Sequence, residues 1–234
     1  MVYGQIAEST KINALIYRCF DELPETEQRK FVKKFRNQPH DQDQVMHTLA
    51  ELVCGAYLQS KGYRMVHDHI VKGKTPDWCI LGSDDSVQAI IEVANFHIDQ
   101  TTDRYIKEQK KSKRIVFFWR DGNADNEARL YQCIQDKALI YKELVNSLAL
   151  PYVIAIRPDF RAGLDFEEVM GCLSSKKDGV FELHPHVSGV LYFEEINGQY
   201  TFRYASNPNC PRVVNLPEGD YLGKALTFAY SLAK

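Results

Sequence analysis

The sequence predicts an α/β fold with a mixed sheet, and three observations predict it. Apolar residues recur at helical spacing over 10–23, 47–61 and 125–148. Between and after them lie short apolar runs, partly β-branched, at 63–70, 77–81, 89–96 and 152–156. Two of these runs flank the polar stretch Gly82-Ser83-Asp84-Asp85-Ser86, which marks the turn of a hairpin.

Each element has its own warrant. In the first helix Ile12, Leu15, Ile16, Cys19 and Phe20 share a face, and Pro24 opens a second, shorter helix through Phe31, Val32 and Phe35. Asn37, Pro39 and Asp41 to Asp43 then break the pattern. The helix 47–61 carries Leu49, Leu52, Val53, Ala56 and Tyr57, and Gly62 stops it. Residues 125–148 read as one long amphipathic helix with Ile134, Ala138, Tyr141, Val145 and Leu148 on its stripe. Pro151 ends that helix. Tyr152 to Ile156 is unbroken in its apolar character, as a strand covered on both faces requires. Further on, Gly189 to Glu195 and Gln199 to Ala205 flank Asn197-Gly198, the dipeptide that favours a type I′ hairpin turn. A proline-containing loop and a terminal helix to Lys234 follow. The chain divides into an N-terminal helical segment (1–44), a core (45–157) and a C-terminal hairpin-and-helix extension (158–234), with no boundary strong enough for a separate domain.

Composition narrows the classes. With 234 residues and a 44% hydrophobic share the chain can bury a proper core. A net charge of −2 excludes a protein basic all over but leaves room for a local basic face. No apolar run approaches the ~20 residues of a membrane span, and the first ten residues show no signal-peptide pattern. The six cysteines form no CxxC pair and mostly sit in apolar segments, so they are expected reduced in a cytoplasmic protein.

Two acids carry the functional argument: Asp77, after Pro76, and Glu92, in Ile90-Ile91-Glu92-Val93. They are symmetric about the centre of the 83–86 turn, so a regular hairpin sets them opposite each other. Opposed residues have Cβ atoms ~4.5–5.5 Å apart, and like charges there destabilise the sheet. A bound Mg²⁺ gives a reason to keep them, because it binds through one or two carboxylates plus phosphate and water.

Thr75-Pro76-Asp77, a loop, then Glu92 resembles the signature of the PD-(D/E)XK, or restriction-endonuclease-like, nuclease superfamily. The order helix, three strands, helix, strand resembles its core. The resemblance implies a restriction-endonuclease-like αβββαβ core with a mixed sheet flanked by helices. It implies a DNA endonuclease-like phosphodiester hydrolase using Mg²⁺ or Mn²⁺, with Asp77 and Glu92 as catalytic metal ligands and Glu51 as a further one. The family pattern places a lysine two residues after the second acid; here that position is Ala94, on the same strand face as Glu92. Lys137, bordering the apolar stripe of the long helix, is the first candidate to replace it, and Lys74 the second. The missing lysine also supports an alternative: a nuclease-like fold that no longer cuts and serves as a nucleic-acid-binding or assembly module, with a homodimer compatible with either reading.

Other features have plainer readings beside the functional ones. Lys107, Lys110, Lys111, Lys113 and Arg114 form a basic run suited to phosphate contact, or simply a solvated helix face. Glu51 also suits the early turns of a helix that begins near His47. His67 and His69, and His184 with His186, lack a third metal ligand placed by spacing. Cys54 and Cys133 have no histidine or acid at a recognised spacing.

Overall fold

The computed structural model describes residues 10–38, 42–111, 126–175 and 178–222. Helices α1 (Thr10–Glu22), α2 (Glu25–Asn37) and α3 (Gln42–Ser60) lead into strands β1 (Arg64–His67), β2 (Trp78–Leu81) and β3 (Val87–Phe96). Helices α4 (Gln100–Lys111), α5 (Asn126–Ile140) and α6 (Lys142–Leu148) precede β4 (Tyr152–Pro158). Then come α7 (Phe166–Ser174), α8 (Val180–Leu183), β5 (Gly189–Ile196), β6 (Gln199–Ser206) and β7 (Gly219–Tyr221).

The strands form one seven-stranded sheet in sequence order. The first three are an antiparallel meander, β4 runs parallel to β3, and β5 parallel to β4. The last three are antiparallel again. The α/β class and the mixed sheet expected from the sequence are therefore present.

Alternation along the strands sorts two cores. On one face Trp78, Ile80, Ala89, Ile91 and Val93 pack with residues of α1, α2 and α3. On the other, Cys79, Ile90, Ala94 and Phe96 pack with α5, α6, α7 and α8. Glu92 belongs by alternation to the second face, pointing at α5. Helix α3 lies close on β2 because position 55 is glycine: a Cβ there would overlap the Trp78 ring. That close approach lets Trp78 Nε1 donate to the Glu51 carbonyl at 2.8 Å, which fixes the turn of α3 bearing Glu51.

Three expectations need correction. The helix over 125–148 is two helices, because Tyr141 leaves the helical region (φ −109°, ψ 4°). The break was hidden because Ile134, Ala138, Tyr141 and Val145 are all buried, so the apolar spacing runs on through it. The strand at 63–70 is only Arg64–His67, because Asp68 adopts φ 52° and turns the chain away. Helix α3 starts at Gln42, so Glu51 lies beyond its early turns and the helix-dipole reading of that residue fails.

The C-terminal hairpin forms with Asn197 and Gly198 both at positive φ, as the Asn-Gly turn requires. Its first strand pairs with β4, so the extension continues the central sheet. The terminal helix expected up to Lys234 lies outside the described residues. Among those described, no helix is long and apolar enough to cross a membrane.

Candidate functional site

The β2–β3 pairing has the expected register. Trp78 faces Ile91, Cys79 faces Ile90 and Ile80 faces Ala89, and a bulge shifts the register only between Ile80 and Leu81. Carried one residue further, this sum places Asp77 against Glu92. The Asp77 amide donates to Glu92 Oε2 at 3.4 Å, and the Val93 amide donates to Asp77 Oδ2 at 2.7 Å. Asp77, just ahead of β2, thus meets Glu92, buried in the middle of β3.

Each of the three predicted acids has a different setting. Glu92 accepts from Lys137 Nζ at 2.9 Å, so the lysine chosen from the α5 stripe reaches the face where Ala94 leaves room. Burial would lower the Lys137 pKa, but the Glu92 carboxylate more than offsets it and holds the ammonium charged. Glu51 is 3% exposed and is held by α2 and β1. Its Oε2 accepts from Lys34 Nζ at 2.7 Å and meets His67 Nε2 at 2.8 Å. Burial pushes the Glu51 pKa up, but the His67 hydrogen bond and the Lys34 charge win, and it sits below its ordinary value. His67 is itself fully buried, with Nδ1 3.1 Å from Asp68 Oδ2 but not aligned for a hydrogen bond. Burial works against its charge, and the two carboxylates overcome burial and raise its pKa.

Asp77 is different. Among the described residues it has no ion-pair partner, while its neighbours Glu51 and Glu92 have theirs. Burial, followed by the charges of Glu51 and Glu92, lifts its carboxyl from the ordinary 3.8 to about 7. An acid poised this way at neutral pH marks a site where a missing positive charge would be welcome.

Sequence reasoning missed His47. It stands four residues before Glu51, on the same side of α3, and its Nε2 lies 3.2 Å from Glu51 Oε1. Burial keeps its pKa below the ordinary value, which favours the neutral imidazole that a metal ligand must be. One donor atom each from His47, Glu51 and Asp77 all lie within 4.8 Å of one another. A cation with bonds of about 2.1 Å spans about 4 Å between opposite ligands, so a small inward movement closes the set. The second oxygen of Glu51, which faces His47 and not Lys34 or His67, the under-compensated Asp77 and a neutral imidazole fit a divalent cation. A histidine four residues ahead of an acid was the signal available.

The remaining candidates separate. His67 binds Glu51 and supports the site rather than pairing with His69. His186 Nε2 meets the Ala138 carbonyl at 2.8 Å, which accounts for it structurally. Burial pushes the Cys54 thiol well above its ordinary pKa, and Cys133 is likewise raised, so neither is an activated nucleophile. Lys107, Lys110 and Lys111 lie on α4, whose backbone alone is described at those positions; Lys113 and Arg114 lie outside the described residues.

No family model matches this chain, and comparison with curated proteins and with solved structures finds no match.

Proposed function

We propose that the protein is a divalent-cation-dependent phosphodiester hydrolase acting on DNA, built on a restriction-endonuclease-like core. The observation that carries the reading is Asp77: a half-buried carboxylate between two others, each of which already has a cation of its own. The antiparallel β1–β3 meander followed by helices and a parallel β4 supports the fold assignment.

Asp77, Glu51 and His47 would hold the cation, Mg²⁺ or Mn²⁺, with Glu92 adjacent. Bound there, the ion would activate water and stabilise charge on the phosphate oxygens. The chain's own residues do the positioning. Glu92 holds Lys137 Nζ beside the acids, where an ammonium favours a developing negative charge. His67 and Lys34 fix one oxygen of Glu51 so that the other turns toward His47 and Asp77.

The experiment is hydrolysis of supercoiled and single-stranded DNA by wild type and Asp77→Asn, with Mg²⁺, Mn²⁺ or chelator. Cleavage by wild type that disappears with chelator and in the variant supports the reading. Wild type that cuts nothing with either metal defeats it. A specific observation favours a second reading, a binding module without hydrolysis. Lys34, His67 and Lys137 already compensate two of the three acids, so the site has less need of an ion than a bare carboxylate cluster.

A further inference from the structure

The stretch between β1 and β2 is a small hairpin rooted at the candidate site. Val71 and Lys74 exchange both backbone hydrogen bonds, at 2.8 and 3.0 Å, around Lys72-Gly73. Its root is tied twice: the Asp68 amide donates to the Asp77 carbonyl at 3.2 Å, and the Tyr141 hydroxyl to the Thr75 carbonyl at 3.0 Å. One turn of α5 before Tyr141 stands Lys137.

The tip has a left-handed backbone at both central residues, Lys72 (φ 47°) and Gly73 (φ 80°). A tight turn of that kind prefers asparagine, aspartate or glycine at the first of these positions. A lysine there is disfavoured, so the turn carries a positive charge at its tip against the local preference of the backbone. Such a departure points to a function for the side chain. Lys72 and Lys74 are both exposed, and neither has an ion-pair partner among the described residues. Every other lysine described at the site, Lys34 and Lys137, is committed to a carboxylate.

We infer that the hairpin 68–76 is a DNA-backbone clamp, in which Lys72 and Lys74 bind phosphates flanking the one held at Asp77. This rests on the hydrolase reading for the position of the scissile phosphate, but the clamp binds DNA whether or not the site cuts. Lys74 precedes Asp77 by three residues, at most about 10 Å of extended chain. Lys72 precedes it by five residues, at most about 18 Å. A DNA strand advances about 3.4 Å per phosphate, so Lys74 falls within about three nucleotides of the site and Lys72 within about five. Phosphate contacts of this kind set register and orientation and carry no sequence preference.

The test is Lys72→Asn/Lys74→Gln, measured by fluorescence anisotropy on a short labelled duplex in chelator over a salt series. Asparagine suits the turn, so the thermal midpoint should hold or rise while affinity falls. Two lost phosphate contacts should flatten the slope of log K against log salt by about 1.8. An unchanged slope in the double variant overturns the clamp, as does a wild type that binds no duplex at low salt. If wild type cuts DNA and the slope is unchanged, the clamp fails and the hydrolase stands. If wild type binds without cutting and the slope flattens, the hydrolase fails and the clamp stands.

Discussion

Asp77→Asn should stabilise the metal-free protein at pH 8 and not at pH 4. Asp77 titrates at about 7 in the folded chain instead of 3.8. The folded state therefore holds a proton that the unfolded state has released between those values. Stability falls as pH rises through that window, and the full penalty is present above pH 7. A difference of about 3 pH units corresponds to ~4 kcal/mol at 1.36 kcal/mol each, an upper bound for a half-buried group. With side-chain relaxation and water penetration, about 2 kcal/mol is a reasonable expectation, or roughly 4–8 °C in Tm for a chain of this size. Asparagine keeps an oxygen to accept from the Val93 amide, so the variant loses the repulsion without losing the hydrogen bond. The assay is thermal unfolding by circular dichroism at pH 4 and pH 8 in chelator, then at pH 8 with Mn²⁺. The metal should reverse the order: at about 100 times Kd it adds ~2.7 kcal/mol to wild type, and far less to the variant. A variant destabilised equally at both pH values, with no effect of Mn²⁺ on wild type, refutes the electrostatic account of Asp77.

Lys137→Ala should remove most hydrolysis, by about 10²–10⁴-fold, while wild-type and variant Mn²⁺ titrations followed by calorimetry remain similar; equal cleavage rates would remove Lys137 from the reaction. Gly55→Ala should destabilise by about 1–3 kcal/mol in urea unfolding, because the added methyl overpacks against Trp78, and it should weaken Mn²⁺ binding by moving Glu51. A neutral effect of that substitution would show that α3 rides on β2 with slack and does not fix Glu51.

Much of the site was legible because local rules produce it. The hairpin index sum brought Asp77 to Glu92 without any knowledge of the rest of the fold, and strand alternation gave Ala94 and Glu92 a common face. The apolar stripe of α5 placed Lys137 at the border of the sheet, close enough to reach Glu92. What stayed hidden depends on contacts distant in sequence. Lys34 and His67 reach Glu51 from α2 and β1, and neither carries a spacing signal that ties it to α3. The positive φ of Asp68 shortened a strand whose composition was suited to continue. Strand β7 is three residues long after a proline-containing loop, too short for any period to register. The parallel pairing of β5 with β4 needs a crossover through α7 and α8, and a hairpin sequence says nothing about which edge it joins.

The most direct measurement is a crystal grown with Mn²⁺ and examined for anomalous scattering. The account predicts a peak about 2.0–2.3 Å from carboxylate oxygens of Asp77 and Glu51 and from an imidazole nitrogen of His47, with Lys137 still paired to Glu92. Full Mn²⁺ occupancy elsewhere with none beside Asp77, or a clear Asp77 bonded to a protein cation in its place, would contradict it.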